Sequence, residues 1–382
     1  MSGQPSRTIL RACKRALFLA ALALILCPGS TPVQAHNERL VLAFYYAWYD
    51  ATFWDYDLSD QPTQTYISTD PAAIERHVLM AKQAHIDAFV QSWYGPEIVN
   101  NQTEPNFAAL LDISAQHGFQ ATVDFEVVSP FFHSEADVVE ALQYLLSVHA
   151  AHPAFLRVGG KPVIFFWRQE RFSVDAWVSI RQQVDPNHTS IWIAEGVVLD
   201  HLAVFDGNHL YSVAWDPNPD AVLLRWEKRV HAYNTPTETK YWVATVMPGY
   251  DDIVTGRSDA FIRGRANGDY YRTCWDGAIQ SGADWVIITS FNEWWEGSQI
   301  EPSVTYGDFY LNLTQELGDQ YRASPLVPLP PPDPPTATAA PTSPPTATPT
   351  ETPTPTPTAT ATATETSTVV PARQYLPLIA KP

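Results

Sequence analysis

Residues 284–302 read DWVIITSFNEWWEGSQIEP. The first seven of them are rich in β-branched and aromatic residues and predict a buried strand. This strand leads directly into two carboxylates, Glu293 and Glu296, separated by two tryptophans. If the chain turns after Asn292, as Gly297 favours, the two side chains lie on one side, roughly 5–6 Å apart at Cβ. That spacing is close to the ~5–5.5 Å between the carboxyl groups of a retaining glycosidase. The pattern also fits an acidic, aromatic loop without chemistry.

The strand at 284–290 is the last of eight strand-like segments that alternate with helix-like ones. The predicted strands are 40–46, 86–93, 120–126, 162–167, 190–195, 209–214, 241–246 and 284–290. The predicted helices are 70–84, 106–117, 135–151, 174–183, 219–233, 268–281 and 308–322, and the segment 200–206 is short for a full helix. Eight units in about 285 residues predict an α/β fold, a (β/α)8 TIM barrel. An open, doubly wound sheet is the competitor, but no glycine-rich phosphate loop follows any strand.

In such a barrel the active site lies at the carboxyl ends of the strands. The predicted strand ends carry aromatic and acidic residues, the types that bind sugar rings and hydroxyl groups. The candidate substrate-binding residues are Tyr46, Trp48, Trp93, Tyr94, Glu126, Trp167, Tyr250, Asn292, Trp294 and Trp295. His149 and His152 are spaced as in some metal sites, but no carboxylate motif supports them. We therefore expect no metal site and no cofactor.

The two ends of the chain differ from the rest. Residues 1–35 predict a signal peptide, with four cations, an apolar segment too short to span a bilayer, and small residues before the cleavage point. Residues 36–323 form the predicted catalytic domain. Residues 324–371, rich in Pro and Thr, predict a disordered linker, and 372–382 form a short tail that is either a surface-retention tag or a disordered end. We expect a protein that is secreted, or retained at the cell surface, with no membrane span.

Charge and cysteine content restrict the possible partners. Removing residues 1–35 takes away four cations and no anions, so the formal net charge falls from −18 to −22. This charge argues against nucleic acid as a partner. Only Cys274 remains after that removal, so no intramolecular disulfide can form. The 13 tryptophans suit a protein that stacks on sugar rings, and we expect a monomer that binds an oligo- or polysaccharide.

Several motifs, in this order along the chain, resemble those of glycoside hydrolase family 99, which contains glycoprotein endo-α-1,2-mannosidases and bacterial endo-α-1,2-mannanases. The motifs are FYYAWY (44–49), SWYGP (92–96), HPAF (152–155), PGYDD (248–252), the RxxGxYY spacing at 265–271, and SFNEWWEGSQIEP (290–302). The resemblance covers most of residues 40–302. It implies a (β/α)8 fold and cleavage of α-mannosidic bonds inside a chain, with retention of configuration.

The resemblance also implies roles for individual residues. Glu293 matches the family's general base and Glu296 its general acid/base. In this family the base is thought to deprotonate the substrate's own 2-hydroxyl, which attacks the anomeric carbon and gives a 1,2-anhydro sugar. Glu126 and Tyr250 match residues that bind substrate, and Trp93 matches an aromatic wall near the cleaved sugar.

Two positions depart from the family pattern. Trp295 stands where the family usually has histidine, and Val127 where it has proline. These departures leave the linkage and the subsite preferences open. Two other functions also stay open: a non-catalytic polysaccharide-binding barrel, and a family-99-like protein of surface-polysaccharide assembly.

Overall fold

The protein is described by a computed structural model that covers residues 38–325 and contains a closed barrel of eight parallel strands. The strands are β1 (Leu40–Tyr45), β2 (Ala88–Trp93), β3 (Gln120–Glu126), β4 (Lys161–Trp167), β5 (Ile191–Glu195), β6 (Gly207–His209), β7 (Tyr241–Val246) and β8 (Trp285–Ile288). Strand β1 pairs with β2 on one side and β8 on the other, and β3 pairs with β4, so the ring closes. The predicted (β/α)8 fold is confirmed.

Within residues 38–325, seven α-helices surround the strands. They are α1 (Pro71–Gln83), α2 (Thr103–His117), α3 (Glu135–Tyr144), α4 (Val174–Val184), α5 (Pro219–His231), α6 (Asp269–Gln280) and α7 (Phe309–Ala323). Helix α1 begins as its sequence predicts, because the Asp70 side chain accepts a hydrogen bond from the Ala72 amide and Pro71 occupies the first turn. Helix α3 is shorter than predicted and continues as a π-helical turn, Leu145–His149. A 3-10 turn, Leu199–Ala203, replaces the helix between β5 and β6.

Side chains alternate between the barrel interior and the layer under the helices, as a two-residue period requires. Phe44 of β1 lies 6.4 Å from Phe165 of β4 between ring centroids, and 5.5 Å from His209 of β6. Contacts between strands that are not neighbours place these side chains inside the barrel. Their sequence neighbours Tyr45 and Phe166 point outward into the helical layer, where both are buried.

The sixth strand is shorter and earlier than predicted, which corrects the expected range of 209–214. A Cβ at Gly207 would lie 2.6 Å from the Tyr241 carbonyl oxygen, so only glycine fits between β5 and β7. After His209 the chain leaves the sheet, because threonine hydroxyl groups take the next two carbonyls. Thr245 donates to the Leu210 carbonyl, and Thr289 donates to the Tyr211 carbonyl at 2.8 Å. Tyr211 therefore lies at the mouth of the barrel.

The predicted signal peptide and tag lie outside residues 38–325, as does all of the predicted linker except Ser324 and Pro325. The domain limits at 36 and 323 stay predictions. Within residues 38–325, no helix has both the length and the apolar character needed to cross a bilayer.

Candidate active site

The segment after β8 folds back on itself and places both glutamates at the mouth of the barrel. The Ser290 amide donates to the Ser298 carbonyl at 2.9 Å, and the Ser298 amide donates to the Glu293 carbonyl at 3.2 Å. Gly297 completes the turn with φ +56°, a conformation that favours glycine. The side chains of Glu293 and Glu296 are both buried. The predicted turn after Asn292 is therefore present.

Glu296 contacts a cation and a tyrosine. Its Oε1 lies 3.2 Å from Nη1 of Arg257, and its Oε2 accepts a hydrogen bond from the Tyr211 hydroxyl at 3.1 Å. The same Arg257 atom lies 3.3 Å from the buried Asp252, so its charge is shared between two carboxylates. Burial raises the pKa of Glu296, and Arg257 offsets only part of that rise. Glu296 therefore keeps its proton to higher pH than a solvated glutamate.

Glu293 has no direct cationic partner among residues 38–325. Its Oε1 accepts a hydrogen bond from the Trp295 amide at 3.0 Å, while its Oε2 is buried and has no protein partner in the described part of the chain. Burial raises the pKa of Glu293 well above its usual range, and the charge of Glu296 raises it further. Two neighbouring buried acids with raised pKa values suit acid/base work near neutral pH.

A buried hydrogen-bond network lies beneath the pair. Asn292 donates from Nδ2 to the Tyr46 carbonyl at 2.9 Å and to the Tyr66 hydroxyl at 3.0 Å. The hydroxyl of Tyr66 donates in turn to Oε2 of Glu301 at 3.1 Å, and that oxygen also accepts from the Trp294 indole at 3.0 Å. His77 of α1 contacts the other Glu301 oxygen at 3.0 Å. These bonds fix the backbone on both sides of Glu293 and Glu296.

Three further carboxylates face the barrel mouth from β3 and β5. Ser92 donates a hydrogen bond to Glu126, whose pKa burial raises to about 8. Burial also raises the pKa of Glu195 to about 7, and that of Asp124 well above its usual range. Asp124 Oδ1 is buried without a protein partner among the described residues. Oxygen acceptors in this number suit a ligand rich in hydroxyl groups.

Several of the predicted substrate-binding residues lie together near the glutamate pair. The Tyr46 hydroxyl oxygen lies 2.8 Å from the Tyr211 hydroxyl oxygen. Burial raises the pKa of Tyr250, and the nearby charge of Glu296 raises it further. Trp48 stacks on Tyr94, with centroids 6.0 Å apart and planes at 22°. Glu126, Trp167 and Asn292 also face the barrel mouth.

Two other predicted aromatic residues, Trp93 and Trp294, are buried, and a third, Trp295, is partly exposed beside Glu293. Trp93 is fully buried on the outer face of β2 and donates its indole N–H to Glu104 of α2 at 2.7 Å. The prediction of an aromatic wall at Trp93 is wrong, because Ser92 takes the inward position. Trp294 is buried in the network that contains Glu301. Trp295 packs against Tyr56 and Phe53.

Arg257, Tyr211 and Asp252 are components of the site that sequence reasoning missed. Tyr211 fell within the predicted sixth strand, where its hydroxyl had no defined position. Arg257 lies in the segment after β7, in TGRSD, which has no recognisable pattern. Asp252 belongs to the PGYDD motif, two residues after Tyr250, which matches the family. This position was the only feature of the sequence that pointed to Asp252.

His149 and His152 are each held by a carboxylate rather than brought together. His149 lies 3.0 Å from Glu104, and His152 lies 3.3 Å from Asp112. Within residues 38–325, no group of three or more His, Cys, Asp or Glu side chains is arranged to hold a metal ion.

A cleft of about 460 Å³ opens beside Glu296. The residues that line it include Tyr211, Tyr250, Trp215 and Phe261. Its volume falls within the range of ligand sites in proteins, about 300–1,000 Å³.

A closed (β/α)8 barrel with a buried glutamate pair among tyrosines and carboxylates at the strand ends defines the class of glycoside hydrolases. The sequence model of glycosyl hydrolase family 99 matches residues 60–322, and the chain belongs to this family. The resemblance read from the sequence is confirmed.

The curated relatives include glycoprotein endo-alpha-1,2-mannosidase-like proteins. The one from Mus musculus is 29% identical over 290 residues, and the one from Homo sapiens is 28% identical over 290 residues. In both cases the match covers 67% of this chain and 63% of the relative. The chain thus spans less than two thirds of the length of these relatives.

Among solved structures, the GH99 endo-alpha-mannosidase from Bacteroides thetaiotaomicron is similar with a TM-score of 0.65 and 26% identity. The similarity covers 74% of this chain and 98% of the bacterial one. The barrel of this family 99 chain is therefore similar in structure to almost the whole length of the bacterial protein.

Proposed function

We propose that this protein is an endo-acting α-mannoside hydrolase that cleaves α-1,2-linked bonds inside mannan or mannose-containing glycans, with retention of configuration. The observation that carries this proposal is the buried pair of Glu293 and Glu296 in a chain that belongs to family 99. Relatives named as endo-mannosidases support the choice of bond.

In the first step, Glu293 takes the proton of the substrate's 2-hydroxyl. The 2-oxygen attacks the anomeric carbon, and the bond from that carbon to the leaving oxygen breaks. Glu296 gives its proton to the leaving oxygen. The products are a shortened glycan and a 1,2-anhydro sugar, with Glu293 protonated and Glu296 ionised.

The second step reverses the proton transfers. Glu296 takes a proton from water, whose oxygen attacks the anomeric carbon and opens the strained ring. The 2-oxygen recovers its proton from Glu293. Two inversions at one carbon give net retention, and both glutamates return to their starting states.

The surroundings of Glu296 support its role as the acid, and those of Glu293 leave one oxygen open to the substrate. Glu296 acts first as an acid, and burial raises its pKa in spite of Arg257. Asp252 shares the charge of Arg257, so Glu296 can carry a proton beside that cation. Glu293 must be ionised to act as a base, yet it lacks the cation that Glu296 has. Binding of the 2-hydroxyl would give its Oε2 a hydrogen-bond donor.

The roles are tested with Glu296→Gln and Glu293→Gln on two substrates, a natural glycan and a glycosyl fluoride. Fluoride leaves with little protonation, so Glu296→Gln should nearly abolish cleavage of the glycan and keep substantial turnover of the fluoride. Glu293→Gln should be poor on both, and a 2-deoxy substrate should resist the intact enzyme. Glu316→Gln is the control, because Glu316 is exposed and its partners within residues 38–325 are Arg272 and Gln320. The reverse pattern in the two mutants, or a trapped Glu293–sugar ester on a 2-deoxy substrate, refutes the mechanism.

Product analysis after digestion of a panel of α-mannans and α-glucans tests the substrate class. Internal cleavage of α-1,2-mannan is the expected result. Binding without cleavage favours the polysaccharide-binding alternative, and transfer without net hydrolysis favours the assembly alternative. We also propose that the protein is exported, because residues 1–35 have the pattern of a signal peptide, and that it is a monomer. Amino-terminal sequencing of the mature protein, expected to begin at His36, and gel filtration test these two points.

A further inference from the structure

The cleft beside Glu296 reaches the glutamate pair from one side only. Glu296 and Tyr250 line it, whereas Glu293 does not. The stacked rings of Trp48 and Tyr94 are also absent from its lining. In the proposed function Glu296 protonates the leaving oxygen, so whatever continues beyond that oxygen extends away from Glu296 on this side. The assignment of the cleft's occupant therefore rests on the proposed function.

Charged groups in this cleft are predominantly acidic. Glu170, Glu195 and Asp259 line it together with Glu296. The single lining cation is Arg168, whose Nε lies 2.6 Å from Glu170, so its charge is already paired. Glu170 is paired with Arg168 and Glu296 with Arg257, but Glu195 and Asp259 still leave the cleft with a net negative formal charge. A negatively charged ligand would therefore be repelled, since like charges at close range repel.

The cleft also has an exposed apolar rim. Trp215 is 50% exposed, and its indole N–H donates to the Ser212 carbonyl at 3.0 Å, which fixes one edge of the ring. Val197 and Val198 contribute two more exposed apolar side chains to the lining. Phe261, which also lines the cleft, stacks on Tyr250, with centroids 4.9 Å apart. Aromatic and apolar groups combined with hydrogen-bond acceptors suit the two faces and the hydroxyl groups of a sugar.

We infer that this cleft binds the leaving-group half of the substrate, that Trp215 is its stacking surface, and that it selects uncharged glycans over glycans that carry phosphate or carboxylate groups on this half. Trp215 and Asp259 are then specificity-determining residues for the family 99 reaction.

Three substrates separate this inference from the proposed function. The first is a mannose oligosaccharide with at least two neutral sugars on the leaving side. The second is the same oligosaccharide with a phosphate monoester on that side. The third is a mannobiosyl fluoride, which has no sugar there. We expect the neutral substrate to be preferred over the phosphorylated one by about tenfold or more in kcat/KM at low salt, and added NaCl to narrow the gap because it screens charge.

Trp215→Ala should reduce kcat/KM about tenfold more for the neutral oligosaccharide than for the fluoride, mainly through KM, because stacking contributes about that factor. Asp259→Asn should narrow the preference for the neutral substrate. Val178→Ala and Asp276→Asn are matched controls, since both residues are exposed on helices away from the cleft. The inference is overturned if Trp215→Ala affects both substrates equally, or if the phosphorylated glycan is cleaved as well as the neutral one.

Calorimetric binding of the neutral leaving-group oligosaccharide alone provides a readout that does not depend on turnover. Binding that Trp215→Ala weakens, in a protein that cleaves no mannoside, would overturn the proposed function and leave the assignment of the cleft standing. Cleavage of the mannoside without any binding of the leaving-group oligosaccharide would overturn the assignment of the cleft and leave the proposed function standing.

Discussion

Replacing Arg257 with methionine should move the pH profile of the enzyme in a defined direction. Arg257 favours the ionised form of Glu296, so its removal raises the pKa of Glu296. Because Glu296 must be protonated to act as an acid, activity falls as pH rises through that pKa, and the basic limb should move to higher pH. Arg257 also lowers the pKa of Glu293 without contacting it. Its removal should therefore move the acidic limb of the profile to higher pH as well, but by less than the basic limb.

The size of the shift follows from the geometry. At 3.2 Å and an effective dielectric constant of about 20, the attraction between the two charges is ~5 kcal/mol, an upper bound of roughly four pKa units. Asp252 shares the guanidinium, so a shift of about 1–3 units of the basic limb is expected.

The assay is kcat/KM against pH on a neutral oligosaccharide. Arg257→Lys keeps the positive charge, so its basic limb should lie close to that of the wild-type enzyme. Arg272→Met is the matched control, because it removes an exposed arginine that pairs with Glu316 and should leave the profile unchanged. A basic limb that stays in place or moves to lower pH in Arg257→Met would show that Glu296 is not the group titrating there.

Four other changes have defined outcomes. Gly297→Ala places a Cβ 2.7 Å from Ser59 Oγ at a position with positive φ, so kcat should fall at least about tenfold. The control is Gly256→Ala, which also has a positive φ but open space around it. It should leave kcat close to wild type in the same assay. Trp177→Ala should lower the free energy of unfolding by about 3–5 kcal/mol in urea titrations, against about 0.5 kcal/mol or less for its exposed neighbour in Val178→Ala. Residues 36–323 alone should fold and cleave a soluble substrate as the full chain does, and a truncated protein that is unfolded by circular dichroism or inactive contradicts the predicted domain limits. Excess EDTA should leave turnover unchanged, and a loss that a divalent ion restores would identify a metal requirement.

The fold was accessible from the sequence because most strands are short, largely apolar runs between polar turns, whereas the sixth, Gly207–His209, has no such run and its range was predicted wrongly. Phe44, Phe165 and Val243, each buried inside the barrel, occupy such runs. The direction of the Trp93 side chain could not be predicted in the same way. A residue at the end of a strand faces either the site or the helices, and a shift of one residue in register exchanges the two faces. Ser92 faces inward and Trp93 therefore outward.

The partners of Glu296 were inaccessible for a different reason. Tyr211 and Arg257 are 85 and 39 residues away from it in the chain. Both lie where the chain has left regular structure, so no periodicity specifies where their polar groups point. The carboxylates were recognisable from spacing and resemblance, whereas the groups that adjust their acidity required the folded chain.

The carboxylate of Glu301 affects how this site can be re-engineered. It joins the β8 segment to α1 through His77, and to the segment before α1 through Tyr66. The fifteen residues from 288 to 302 therefore cannot be transferred to another barrel as a self-contained segment. Transplanted alone into another barrel, they would leave Glu301 and the Trp294 indole to find new partners. A successful graft has to bring Tyr66 and His77 along with the loop, and a designer should treat the first and last β/α units as one inseparable part.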